Sequence, residues 1–391
     1  MNPIFILGLV AVLAFIAPFF SKALKLPIVV GEILFGVIVG TFIHGLSYYG
    51  GIEIDLTSST LEVLSTLGFV TLMFMIGMEN DFDQLRNLSR SEKWGMLLIV
   101  TATFLIAVLG SIIIGLPLLV GLILGGVSVA VVVPVLKELN LSNTKFGFKI
   151  MLIAQIADVA AIFLLSISAA SVSGWVTLLE LILIPVIFMM AFWLVDMLIW
   201  YKPAFMSRIM NPKDQAELGT RAALATMLIF YGVALFIGIE AILGAFLSGM
   251  LFSAIFKERG PMMEKLNPLG YGFLIPIFFI YQGFEVSILS IHALTVFLLI
   301  FMTMVAFLAK IIPLTISRYF KHNRSDLAGA VLLGTNLSVV VAGVKIGGEA
   351  GILDEEISSI LIIYGVLSCV LFPMLFRWIQ KKYMKDLLDR D

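Results

Sequence analysis

Long apolar segments alternate with short polar ones along almost the whole chain. Each apolar segment has about 20 residues, the length that an α-helix needs to cross the hydrocarbon core of a bilayer. The pattern therefore predicts an all-α membrane protein with about 13 transmembrane helices. Their predicted limits are 2–21, 27–47, 58–78, 94–114, 116–136, 146–168, 174–200, 219–238, 240–256, 267–284, 291–317, 327–346 and 357–377.

The basic residues predict how these helices are oriented. Of the 25 Lys and Arg residues, all but Lys310 and Lys345 fall in every second gap between the predicted spans, in the span ends that border these gaps, or at and after the end of the last span. Short cytoplasmic loops are enriched in Lys and Arg. We therefore predict an N-terminus outside and a C-terminus inside, with a transmembrane domain over 1–377 and a short cytoplasmic tail over 378–391.

Composition excludes several classes of protein. The chain is 61% hydrophobic and 13% charged, with a net charge of −1, whereas soluble domains are about half apolar and a quarter charged. The charge balance gives no sign of nucleic-acid binding. Cys369 is the single cysteine, and His44, His292 and His322 lie far apart. We therefore predict neither a resident metal site nor a cofactor.

Two pairs of predicted helices resemble each other. The segments LGFVTLMFMIGMEND of the third and LGYGFLIPIFFIYQGFEVS of the tenth both begin Leu-Gly and contain Gly-x-Glu near their ends, at Glu79 and Glu285. The second and ninth match more loosely. The offset of seven helices is odd, so the two copies would point in opposite directions. Inverted repeats of this kind are typical of secondary transporters. A chance match between Gly- and Leu-rich helices is the alternative.

The same offset pairs the fifth and twelfth helices, which we predict to be broken in the middle. The fifth contains Gly126 and Pro134, and the twelfth contains Gly334 in the sequence GTNLS. Proline removes a main-chain donor, and interrupted helices commonly line the substrate site of a transporter. Close helix packing through small residues is the alternative interpretation.

Two charged residues lie deep inside predicted spans. Asp158 follows Lys149 by nine residues, which places it roughly 14 Å from the inner face. A charge at the midplane costs on the order of 3 kcal/mol, so we interpret Asp158 as an ion or proton site; a protonated structural Asp is the alternative. Lys310 precedes Arg318 by eight residues, and its side chain can extend part of the way to the interface.

Several long motifs resemble one transporter family. The segments LPIVVGEILFGVIVG, LEVLSTLGFVTLMFMIGMENDFDQLR, EAILGAFLSGMLFS and LNPLGYGFLIPIFFIYQGFEVSI are similar to conserved segments of the second family of monovalent cation:proton antiporters. That family includes bacterial sodium/proton exchangers and potassium-efflux antiporters. The resemblance covers nearly the whole chain. It implies a six-helix core with two broken helices that cross, a panel that forms a homodimer, and a place in the lipid bilayer of the cytoplasmic membrane.

The resemblance also implies an ion site. In the family, a pair of residues that ends in Asp holds the ion, and the second member matches Asp158. This carboxylate would bind a cation or a proton in turn. The stretch around Lys310 resembles the helix that carries the family's core lysine. Two positions depart from the pattern: Ala157 replaces the usual Asp, Gln or Asn, and Val129 stands where the family often has Thr.

Other oxygen atoms would then have to complete the coordination. We expect them to come from Ser128, Gln155 and Asn336, together with water and main-chain carbonyls. The resulting prediction is electroneutral exchange of Na⁺ or K⁺ for H⁺, not an enzymatic reaction, with Lys310 paired directly to Asp158 when no cation is bound. An ion channel on the same scaffold and a symporter of organic anions are the alternatives.

Overall fold

A computed structural model describes residues 3–24, 26–50, 59–79, 89–173, 190, 193, 197, 217–236, 241–255, 260–284, 293–316 and 324–383. All regular structure within these ranges is helical. The helices are α1 Pro3–Ala23, α2 Ile28–Gly50, α3 Ser59–Glu79, α4 Arg90–Ile113, α5 Leu118–Gly125, α6 Val129–Glu138, α7 Lys145–Ser173, α8 Leu218–Phe236, α9 Ala241–Ile255, α10 Gly260–Leu269, α11 Ile275–Phe284, α12 Ala293–Ile316, α13 Arg324–Leu332, α14 Ser338–Glu349 and α15 Glu355–Tyr383, with a π-helical turn at Gly270–Leu274.

The observed helices confirm an all-α chain with many membrane-spanning segments. Within the described ranges, seven helices are long and apolar enough to cross a bilayer, or up to eight if one bent pair is counted as a single span. Helix ends follow local signals: α4, for example, begins at a capping box in which Ser89 and Glu92 bond each other's main chain. The predicted span 174–200 lies outside the described residues, apart from three single positions. The count of thirteen, the orientation and the inverted repeat stay predictions.

The chain forms two compact units. The first consists of Met1–Leu61, Leu88–Val172 and Phe279–Asp391, and the second of Glu62–Asn87 and Ser173–Phe278. The first unit contains both broken helices and the intramembrane charges. Its two broken helices pack against α12 and α15, so the site described below lies entirely within this unit.

Helices approach each other closely at glycines in each unit. In the second unit, a Cβ on Gly77 would lie 2.2 Å from the carbonyl oxygen of Phe246, and one on Gly249 would lie 2.1 Å from that of Phe74. Neither position can accept a larger residue without separating α3 from α9. Close packing through small residues is a common way to join helices where both are surrounded by lipid.

One end of α6 is tied to two other helices of the first unit. The carboxylate of Glu138 accepts a hydrogen bond from the main-chain N–H of Ile28, 2.8 Å away, at the start of α2. It also pairs with the Arg377 guanidinium of α15, at 3.2 Å. These contacts fix the far end of the half-helix whose other end reaches the site.

The prediction that Pro134 marks the break in the fifth span is wrong. Pro134 lies inside α6, which continues on both sides of it from Val129 to Glu138. The missing donor leaves one carbonyl of the preceding turn without its helical partner, but the neighbouring turns keep the helix in place. The break lies before α6, at residues 126–128.

Candidate functional site

The first break separates α5 from α6. α5 ends at Gly125 and α6 begins at Val129. Gly126 between them is extended, with φ −63° and ψ 166°. A Cβ at Gly126 would lie 2.6 Å from a methyl group of Val339, so only glycine lets α14 approach the break this closely.

Side chains from distant segments cap the C-terminal end of α5. The last carbonyls of a helix have no partner inside it and carry partial negative charge. The Lys310 ammonium on α12 donates to the carbonyl of Leu124 at 2.6 Å and to that of Gly125 at 2.9 Å. The amide nitrogen of Asn336 donates to the carbonyl of Ile123. A buried cation and a buried amide thus satisfy this helix end.

The second break separates α13 from α14. α13 ends at Leu332 and α14 begins at Ser338, with Gly334 between them. The hydroxyl of Thr335 donates to the carbonyl of Leu332 at 3.0 Å. The main-chain N–H of Ser128, in the first break, donates to the carbonyl of Thr335 at 2.8 Å. The two interrupted segments are therefore joined main chain to main chain.

Asp158 lies where the second halves of both broken helices begin. It belongs to α7 and is 7% exposed. The Ser338 hydroxyl lies 3.4 Å from Asp158 Oδ1 and 3.1 Å from the Ser128 hydroxyl. This hydroxyl carries one proton, so it donates to only one of these oxygens at a time. The main-chain N–H of Val129 also interacts with the carboxylate.

The helix ends give this region a defined electrostatic pattern. The N-terminal ends of α6 and α14, which carry partial positive charge, lie beside Asp158. The C-terminal end of α5, which carries partial negative charge, binds the Lys310 ammonium. A carboxylate with two hydroxyl groups beside it offers the hard oxygen ligands that an alkali cation requires. The same carboxylate can hold a proton instead.

The predicted site residues occupy different parts of this arrangement. Ser128 and Asp158 belong to one cluster, joined through Ser338. Gln155 is buried three residues before Asp158 on α7, so it shares a helix face with it. The amide of Asn336 is bonded to the carbonyl of Ile123 and not to the carboxylate.

The predicted direct pairing of Lys310 with Asp158 is wrong for this structure. Lys310 Nζ donates to the two carbonyls at the end of α5, and no ion pair to Asp158 forms among the described residues. The unsatisfied carbonyls of α5 are the acceptors that remain.

Ser338 is the residue that the sequence-based site omits. It is the first residue of α14, two positions after Asn336 in the sequence GTNLS. A hydroxyl directly after a glycine-containing interruption was a usable signal, since the first residues of a helix direct their main-chain donors at a ligand. Its contact with Asp158 depends on tertiary structure, because α7 and α14 are far apart in the chain.

Two interrupted helices that meet at a buried carboxylate define an ion-coupled secondary transporter. The chain belongs to the sodium/hydrogen exchanger family, because the transmembrane profile of that family matches residues 11–382.

Individual relatives support this assignment. The chain is 30% identical over 404 aligned residues to YjbQ of Bacillus subtilis (strain 168), covering 96% of this chain and 63% of that protein. The chain thus spans less than two thirds of the length of YjbQ. It is 27% identical over 391 aligned residues to an Na⁺/H⁺ antiporter of Enterococcus hirae, covering 96% of this chain and 98% of that protein.

A solved structure has the same fold. The sodium proton antiporter MjNhaP1 from Methanocaldococcus jannaschii, at pH 8, superposes with a TM-score of 0.65 at 16% sequence identity. The alignment covers 98% of each chain. At this identity the likeness concerns the fold, and the chemistry has to be argued from the residues above.

Proposed function

We propose that this protein exchanges Na⁺ or K⁺ for H⁺ across the cytoplasmic membrane. Asp158 binds the cation when ionised and the proton when the cation has left. The observation that carries the proposal is the position of Asp158, buried at two helix N-termini beside the Ser338 and Ser128 hydroxyls. Family membership supports the same conclusion.

The cation ligands are the Asp158 carboxylate and the hydroxyls of Ser338 and Ser128, with Gln155 contributing from the next turn of α7. Asn336 acts indirectly, because its amide nitrogen is bonded to the carbonyl of Ile123. The carbonyls at the end of α5 accept from Lys310 and Asn336. The charge of the Lys310 ammonium opposes a second cation at these carbonyls, so they do not serve as cation ligands in this state.

Exchange is electroneutral, with one cation moving against one proton. Ala157 removes the acid that would carry a second proton. Lys310 donates two hydrogen bonds to carbonyl oxygens. The partial negative charge of this helix end favours the ammonium form of the side chain. We propose that Lys310 stays protonated through the cycle, and that the protein works as a homodimer.

Proteoliposomes provide the test. Purified protein is reconstituted with a pH-sensitive dye in the lumen, and Li⁺, Na⁺, K⁺ and Rb⁺ are added in turn outside. An antiporter lets a cation gradient drive protons uphill, whereas a channel does not. Luminal alkalinisation with Na⁺ or K⁺ that is unaffected by an imposed membrane potential is expected. Failure of every cation to move protons would reject the proposal.

A further inference from the structure

The last helix, α15, carries polar residues on its most deeply buried face. Tyr364, Ser368 and Cys369 are all fully buried, and α15 packs against both halves of the second broken helix. Tyr364 and Ser368 are four residues apart, so they lie on the same side of the helix. Buried polar groups normally have hydrogen-bond partners, and Ser368 and Cys369 both have partners at the second break.

Ser368 already joins α15 to that break. Its hydroxyl accepts the main-chain N–H of Asn336 at 3.0 Å and donates to the carbonyl of Gly365 at 2.7 Å. A Cβ on Gly365 would lie 3.4 Å from the carbonyl oxygen of Asn336. The main chain of the break is thus held directly against α15 at this residue.

The side chain of Asn336 leaves one atom without a partner. Its Nδ2 donates to Ile123, while its Oδ1 is fully buried and unbonded among the described residues. The hydroxyl of Tyr364 is also fully buried and unbonded there. The Tyr364 hydroxyl lies close to the side-chain amide of Asn336, although the two oxygens form no hydrogen bond with each other. Asn336 Oδ1 is an acceptor and the Tyr364 hydroxyl is a donor, so a hydrogen bond between them would satisfy both groups.

We propose that Tyr364 is a positioning residue for the exchange site: its hydroxyl closes to hydrogen-bonding distance of Asn336 Oδ1, donates to it, and so fixes the amide that joins the two breaks. The role rests on the proposed exchange function. Asn336 lies between Thr335, whose carbonyl accepts from Ser128, and Ser338, whose hydroxyl contacts Asp158. Holding the amide therefore holds both serines beside the carboxylate.

The expected consequence is a change in affinity more than in rate. Tyr364→Phe keeps the ring and its packing but removes the donor. We expect apparent cation affinity to fall by about threefold or more, the effect of one buried hydrogen bond, while the rate at saturating cation stays within about twofold. A role in packing alone would leave the affinity unchanged.

A double-mutant cycle tests the contact itself. Tyr364→Phe, Asn336→Ser and the double variant are compared with the wild type, once by thermal unfolding in detergent and once by apparent cation affinity in vesicles. Because the two side chains form a pair, Tyr364→Phe should have little further effect in the Asn336→Ser background. Thr103→Val is the matched control, since Thr103 is buried on α4 and its hydroxyl donates to the carbonyl of Ile99, in its own helix.

The two measurements separate this inference from the proposed function. Thermal unfolding does not depend on transport, so it reports on the contact between Tyr364 and Asn336 even if the wild type moves no protons. A wild type that moves no protons would reject the proposed function but not the contact. Effects of the two substitutions that simply add, or a Tyr364→Phe protein with the affinity of Thr103→Val, would overturn the inference. If Asn336→Ser does not fold, the difference in affinity between Tyr364→Phe and Thr103→Val decides.

Discussion

Both broken helices consist of two short helices around an interruption that contains a glycine, but different interactions stabilise the two interruptions. At the first break, the end of α5 is neutralised by the ammonium of Lys310 and the amide of Asn336, both from distant segments. At the second break, Thr335 caps the end of α13 locally, and the neutral hydroxyl of Ser368 holds the main chain. The first break therefore depends on a buried charge, and the second depends on packing against α15.

The helices that start after the breaks differ as well. Each has a serine near Asp158 at its start: Ser128 is the N-cap of α6, and Ser338 is the first residue of α14. The Ser338 hydroxyl contacts both the carboxylate and the Ser128 hydroxyl. Ser128 reaches the carboxylate only through Ser338. Two breaks of similar form can therefore contribute unequally to one site, because only the Ser338 hydroxyl contacts the Asp158 carboxylate directly. The following experiments test this difference.

Asp158 is the element that both breaks share, and its loss should have the largest effect. Asp158→Asn keeps the shape of the side chain but removes its charge and its titration. We expect cation-driven proton movement in vesicles to disappear while the protein remains folded. Asp354→Asn is the matched control, because Asp354 is exposed and only caps α15 through the N–H of Ile357. Appreciable exchange by folded Asp158→Asn would contradict the assignment.

Acid should weaken cation binding at this shared site. The cation binds the ionised carboxylate, so protons compete with it, and affinity falls as pH falls. For one proton and one site, the loss is at most about tenfold per pH unit. The measurement is apparent cation affinity from mildly alkaline to mildly acidic pH. A constant affinity over that range would remove competition as the mechanism.

Lys310 distinguishes the first break from the second. Lys310→Gln can still donate to one carbonyl but removes the positive charge near the site. We expect apparent cation affinity to rise by up to about tenfold, because a like charge no longer opposes the cation. Transport should remain insensitive to membrane potential.

The control for this change is Lys265→Gln. The ion pair of Lys265 with Glu217 is partly exposed, and such pairs contribute little to the stability of the fold. A wild-type rate that responds steeply to potential, with the response lost in Lys310→Gln, would instead mean that Lys310 releases its own proton.

The two serines provide the finest comparison. Ser338→Ala removes the hydroxyl that contacts Asp158, so apparent cation affinity should fall by about threefold to tenfold. Ser128→Ala removes a hydroxyl one contact further away and should have a smaller effect. Both are measured by cation titration of proton movement in vesicles. Equal effects, or a larger effect at Ser128, would show that the two breaks contribute alike.

The sequence by itself determined the features that depend on local composition. The length of each apolar segment set the limits of helices such as α4 and α12 to within a few residues, because crossing a bilayer requires a minimum apolar length. Glycines marked both interruptions. The burial of Asp158 followed from its place in the middle of an apolar segment, and its depth in the bilayer and its functional role stay predictions.

Tertiary structure decided which groups meet. Lys310 and its carbonyl acceptor on Leu124 are 186 positions apart in sequence, and Asn336 and Ile123 are 213 apart. Spacing along a chain cannot select such partners, because every unsatisfied carbonyl or carboxylate at a similar depth is an equal candidate until the helices pack. Packing placed the lysine on the end of α5, brought Ser338 to Asp158, and let α6 continue through Pro134. A hydrophobic pattern is a property of one segment, whereas a binding site is a property of several.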